Sequence, residues 1–130
     1  MKKNYEKWIF QKRYINNERR RPKKYIEGGI YWAYLGENIG FEQDGQGKAY
    51  SRPILIVRGF SSGLIWCLPI SHTCKNNKYY YPIKQDGVIG SILLSQIRSI
   101  DTLRLNNLLT VVSEKTLADI KRVLIDMIIN

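Results

Sequence analysis

The chain has 130 residues, 21 Lys/Arg against 11 Asp/Glu, a formal net charge of +10 and 44% apolar content. That length suits one compact domain, and the apolar fraction is enough to build a core, so neither a second full domain nor wholesale disorder is expected. The two cysteines, Cys67 and Cys74, and the single histidine cannot assemble a four-ligand zinc site, and no cofactor is implied. No apolar run approaches the ~20 residues of a bilayer span, and the basic N-terminus lacks the apolar stretch of a signal peptide, so a reduced, cytoplasmic setting without membrane contact is expected.

The positive charge is unevenly placed. Residues 1–27 hold ten Lys/Arg against three Glu, a net +7, and the remainder is only mildly basic at +3. A phosphate polymer is one natural partner for such a segment; a solubilising tail or a docking surface for a partner protein fits the charge as well.

In chain order, Tyr5, Trp8, Ile9 and Lys12 fall at helical spacing, and Pro22 within the basic run 19–24 stops the helix. A short basic helix and linker over 1–27 are predicted, with Trp8 and Ile9 docking the helix on the body or on a second subunit. The body is assigned to residues 28–130. From Gly29 the period becomes that of a strand, with Ile30, Trp32 and Tyr34 alternating with Tyr31, Ala33 and Leu35. Residues 36–47, with four glycines and a polar remainder, predict a long exposed, mobile loop, a type that is usually functional in a small domain.

A second strand, residues 52–58, has the continuous apolar centre of a strand buried on both faces, with Pro53 tolerated at its start. Turns at 59–63 and 75–77 delimit a third strand, Leu64 to Ser71, and lead into a fourth at Tyr79 to Tyr81, which reads as an antiparallel meander. Two shorter strands are expected at Ser91 to Leu94 and Ile97 to Ser99. Ser113 then caps a helix whose Leu117, Ile120, Leu124 and Met127 or Ile128 form one apolar stripe. The class is α+β: a small, strongly bent antiparallel sheet or barrel with a terminal helix.

Candidate chemistry gathers at two strand ends. In an antiparallel pair, the start of one strand lies beside the end of its hairpin partner, so Arg52 and Ser71 should be neighbours. A guanidinium there can clamp a phosphate while a hydroxyl positions it. The same placement also suits a strand-end salt bridge and a loop-capping serine. Thr73, two residues on, shares the face of Ser71 only if the strand continues. His72 and Cys74 have no evident partners and are read as bystanders.

Several segments, in order, resemble signature blocks of the MazF/PemK toxins: Gly29-Ile30-Tyr31-Trp32, Leu35-Gly36, Asn38-Ile39-Gly40, Glu42-Gln43, Ser51-Arg52-Pro53-Ile54-Leu55-Ile56-Val57, and Ser95-Gln96-Ile97-Arg98-Ser99-Ile100-Asp101 with Arg104-Leu105. The resemblance implies an SH3-like barrel that forms a homodimer, cuts single-stranded RNA at short motifs without metal, and is blocked by a cognate antitoxin laid across the RNA groove. It assigns the catalytic arginine to Arg52, before Pro53, and the catalytic hydroxyl to Ser71, where the family has threonine, with Thr73 as the alternative. It implies attack by the substrate's 2′-hydroxyl, leaving a 2′,3′-cyclic phosphate and a 5′-hydroxyl. Its substrate-binding set here is Glu42, Gln43, Lys48, Ser95 and Gln96. Arg98 and Asp101 are either part of that surface or a structural pair at the rim. Two further functions fit the same fold: a toxin that binds and poisons DNA gyrase without cleaving anything, and a silent RNA-binding module.

Overall fold

The computed structural model describes residues 3–47 and 50–130. Helix α1 (Tyr5–Glu18) is followed by strands β1 (Gly29–Tyr34), β2 (Ser51–Gly59), β3 (Leu64–Ser71), β4 (Tyr80–Gln85), β5 (Val88–Leu93), β6 (Arg98–Asp101) and β7 (Leu105–Val111), and helix α2 (Glu114–Ile129) closes the chain. Short 3-10 turns at Leu94–Gln96 and Thr102–Arg104 flank β6. No helix among the described residues is long and apolar enough to cross a membrane.

All pairings are antiparallel, and the strands run in the order β4-β5-β3-β2-β1-β7 with β6 beside the first half of β3. Sharing β3 bends the sheet. Its first residues pair with β6, Leu64 opposite Asp101, whereas its end pairs with β5, Ile70 opposite Ile92 and Ser71 opposite Ser91. A register shift on β2 between Ile56 and Arg58 adds to the curvature. The result is the α+β, curled antiparallel architecture expected from the sequence.

β2 shows why it had to be central. Ile54 and Ile56 enter a cluster with Ala33, Leu35, Ile65 and Cys67, while Leu55 and Val57 enter a second one with Ile30, Leu68, Ile92 and α2. α2 starts at the Ser113 cap, whose hydroxyl accepts from Thr116 N at 3.1 Å, and it buries Ile120 and Leu124 in that second cluster. Burial of each such side chain is worth roughly 1.5–3 kcal/mol. Of the two candidates at the end of the stripe, Met127 packs on the core and Ile128 stays in solvent.

Two elements differ from the sequence reading. β4 does not continue the meander beside β3: Asp86 and Gly87, both at positive φ (47° and 82°), form a tight turn that folds β5 back between β4 and β3. The expected strand at Tyr79 to Tyr81 is therefore the start of a hairpin arm that runs to Gln85, and the one expected at Ser91 to Leu94 is the end of its partner. β7, absent from the sequence reading, pairs with β1 through an irregular register that slips twice. The gap between the hairpin and β7 is spanned by side chains, with Gln85 Nε2 donating to Thr110 Oγ1 at 2.7 Å and to Val111 O at 2.8 Å. Thr110 Oγ1 in turn donates to Asp86 Oδ2 at 2.6 Å.

α1 begins at Asn4, whose side chain accepts from Lys7 N, and gives way to extended backbone at Arg19. Trp8 and Ile15 are buried against Tyr50, with Tyr34 and Leu103 alongside. Ile9, expected to share the docking, is about half exposed, because it projects from the helix one position away from the Trp8–Ile15 side. The linker is fastened by Arg21, which bridges both oxygens of Asp101 at 2.8 and 2.7 Å. Asp101 is thus taken by Arg21, and the rim pair with Arg98 does not form.

Candidate functional site

Arg52 is the second residue of β2 and is 4% exposed. Paired register runs from Ile54 opposite Pro69; two further steps place Arg52 level with Ser71. Its Nη1 donates to Ile70 O at 3.1 Å, so the guanidinium reaches the end of β3. On its other side Nε donates to Asp44 O at 2.7 Å. With the Gln43 amide turned so that its oxygen faces the guanidinium, that oxygen accepts from Nη2 at 2.8 Å and from Nε at 3.1 Å. Among the described residues no carboxylate pairs with Arg52. The strand-end salt bridge is therefore not what holds it. Burial pushes its pKa down from the ordinary guanidinium value, and the charge of Asp44 opposes that shift.

Gln43 belongs to the 36–47 loop, which is hydrogen-bonded throughout. Gly45 N donates to Gly36 O at its neck, Asn38 N to Asp44 Oδ1, and Ile39 N to Glu42 Oε1. The loop also reaches the turn before β6: Gln96 Oε1 accepts from Gln43 N at 2.6 Å, and Gln96 Nε2 donates to Phe41 O at 3.1 Å. Between them lies a polar cleft of about 400 Å³ lined by Asn38, Phe41, Glu42, Gln43 and residues 95–98. Four of the five residues assigned to substrate binding, Glu42, Gln43, Ser95 and Gln96, therefore share one cleft, with Arg52 behind Gln43. Lys48 lies outside the described residues.

Ser71 is brought to the same strand end but opens on a different hollow. With Trp32, Pro53, His72 and Asp86 it lines a pocket of about 160 Å³. Its hydroxyl accepts from Thr73 N at 3.2 Å, which is the loop-capping geometry. Thr73 is exposed beyond the end of β3, so the strand does not continue to it. The end of β3 is pressed against β5 at Gly90 (φ 152°), where an added Cβ would lie 1.9 Å from Ser71 O. Cys67 is buried, its thiol pushed up to about 12 by desolvation, and so lies outside the chemistry at neutral pH.

The sequence reading missed several residues around this site. Lys3 pairs with Asp44 at 2.9 Å, and the hydrogen bond to that carboxylate raises the lysine pKa. Arg104 is held by Tyr34 O at 3.0 Å with its guanidinium 5.8 Å from the Trp8 ring; desolvation first, and Arg98 second, lower its pKa. Asp44, at the far end of the glycine loop, carried only the composition of a turn as its signal.

The model of the family described as PemK-like, MazF-like toxin of type II toxin-antitoxin systems matches residues 26–128. No curated protein matches the sequence. Among solved structures, the chain is similar to MazF (Form-I) from Deinococcus radiodurans, with a TM-score of 0.65 at 22% identity over 81% of this chain and 98% of that one. An endoribonuclease from a mycobacterial species superposes with a TM-score of 0.60 at 16% identity, covering 85% and 93% of the two chains. A mycobacterial endoribonuclease in complex with its cognate antitoxin gives 0.61 at 17% identity, covering 79% and 93%. At these identities the likeness is one of fold.

Proposed function

The chain belongs to the PemK-like, MazF-like toxins of type II toxin-antitoxin systems, and from that premise we propose that it is an endoribonuclease that cuts single-stranded RNA without a metal. It acts in the cytoplasm as a homodimer and is neutralised by a cognate antitoxin laid over its RNA groove; the antitoxin complexes among its structural neighbours support that partner. The substrate's 2′-hydroxyl attacks the adjacent phosphorus, the bond to the 5′-oxygen breaks, and the products carry a 2′,3′-cyclic phosphate and a 5′-hydroxyl. A reaction that needs the 2′-hydroxyl leaves DNA uncut.

The single observation that carries this reading is the Gln43 oxygen at Arg52. With the amide turned to satisfy both groups, its acceptor oxygen sits in the fork between Nη2 and Nε, the place a phosphate oxygen takes in a guanidinium–phosphate pair. In the free protein the amide holds that place; phosphate entering from the cleft replaces it, and Gln43 is released to a base edge. The buried guanidinium then stabilises the charge that grows on the non-bridging oxygens. Arginine stays protonated near neutral pH even when burial lowers its pKa, so charge stabilisation is its main role and proton donation secondary. Ser71 supplies the second contact to the phosphate, while Glu42, Ser95, Gln96 and Lys48 read or hold the flanking nucleotides.

The test is incubation of the purified protein with a long unstructured RNA in EDTA, with primer extension to map the cuts and an end-group assay for cyclic phosphate. Discrete cuts are expected, reduced by about 10²-fold or more in Arg52→Ala and nearly as much in Arg52→Lys, which keeps the charge but loses the fork. Ser71→Ala is expected to cost more than Thr73→Ala. Uncut RNA under all conditions refutes the nuclease reading and turns attention to gyrase inhibition; full activity in both Arg52 variants removes that residue from the mechanism.

A further inference from the structure

α1 precedes the segment that the family model matches, which begins at residue 26. Yet its first turn, together with Lys3 just ahead of its Asn4 cap, is built around the groove loop. Lys3 Nζ donates to Asn38 O and, at 3.2 Å, to Gly40 O, and it pairs with Asp44 Oδ2 at 2.9 Å, so all three of its N–H donors end on the loop. The side chain is 5% exposed, an unusual state for a lysine. Tyr5 donates its hydroxyl to the same Asn38 O at 3.0 Å. Trp8 closes the neck: its ring lies on Gly36, where an added Cβ would meet it at 2.0 Å, and packs on Tyr50 with ring centroids 5.7 Å apart.

Asp44 connects this to the guanidinium. One carboxylate oxygen takes Lys3, the other takes Asn38 N, and its carbonyl takes Arg52 Nε at 2.7 Å. A shift of Asp44 moves the acceptor that aims Arg52, as well as the neighbouring Gln43. We propose that α1 is a brace for the groove, with Lys3, Tyr5 and Trp8 as positioning residues that fix the 36–47 loop and, through Asp44, the aim of the Arg52 guanidinium. The catalytic half of this inference rests on the endoribonuclease reading; the brace itself does not.

The experiment uses the full chain and the variants Lys3→Ala, Lys3→Arg and Tyr5→Phe. One readout is NMR hydrogen exchange at the Asn38 and Gly45 amides and the Arg52 Nε–H; the other is steady-state cleavage of an RNA oligonucleotide. Lys3→Ala is expected to speed exchange at all three sites by about tenfold, with the α2 amides unchanged, and to lower kcat by about tenfold with a smaller effect on KM, because a misaimed clamp costs rate more than binding. Lys3→Arg should recover most of both, and Tyr5→Phe should show a weaker version of the alanine effect. Unchanged exchange in Lys3→Ala overturns the brace. Faster exchange at Asn38 and Gly45 with Arg52 Nε–H and kcat unaltered overturns the link to Arg52. Should the wild type leave RNA intact, the nuclease reading fails, and the exchange data alone still decide for or against the brace.

Discussion

The two helices are held to the body by opposite means. α2 has 16 residues and a continuous apolar stripe, with Ile120 and Leu124 buried in the main cluster and Leu117, Val123 and Met127 packed around them. α1 has 14 residues, buries only Trp8 and Ile15, and leaves Phe10 and Tyr14 in solvent. What α1 lacks in apolar contact is made up by directed polar ones, from Tyr5 within the helix and from Lys3, Arg19 and Arg21 flanking it. Non-directional burial stabilises a fold, whereas directed bonds fix where particular atoms lie. Lesions in α2 should therefore appear as lost stability, and lesions at the α1 contacts as lost function.

The largest effect expected on stability is at Ile120, which is fully buried. Ile120→Ala should cost about 2–5 kcal/mol by urea denaturation, with the specific activity of the folded fraction retained. A loss of activity matching that of an α1 lesion would erase the distinction between the helices. Gly36→Ala comes next, because its φ of 78° and the Trp8 ring both oppose a Cβ. A cost of about 2 kcal/mol is expected, with faster hydrogen exchange concentrated in α1 and the groove loop. Exchange spread evenly over the sheet would show that Trp8 is ordinary core. The smallest effect belongs to Ser113→Ala, which removes the α2 cap and should cost about 1 kcal/mol without touching cleavage.

How much of this was legible in the sequence depended on the range of the interaction. β1, β2 and β3 announced themselves through alternation or continuous apolar runs, and the neighbourhood of Arg52 and Ser71 follows from their places in one hairpin, although their level placement depends on the register shift between Ile56 and Arg58. β7 did not, since Leu105-Asn106-Asn107-Leu108 breaks the alternation and its ladder slips against β1. The β4–β5 hairpin was signalled by Asp86-Gly87, a turn pair whose weight the tyrosine run before it obscured. The cleft was legible only in part, because Gln43 meets Gln96 across 53 residues and no local pattern encodes that meeting. Lys3 read as one more charge in a basic tail. Only the tertiary placement of Asp44 gives it a specific partner.

The sheet's unclosed seam has a consequence for how the molecule behaves in a crowd. Apart from the short β6, β4 and β7 are its outer strands, and outer strands invite further strands to add. On β4, Pro82 has no N–H to offer and Lys84 places a charge beside it, while on β7 the carbonyl of Val111 is already taken by Gln85. Both borders are thus blunted by side chains instead of being sealed by a ladder. Growth of the sheet into fibrous aggregates is discouraged at each of them.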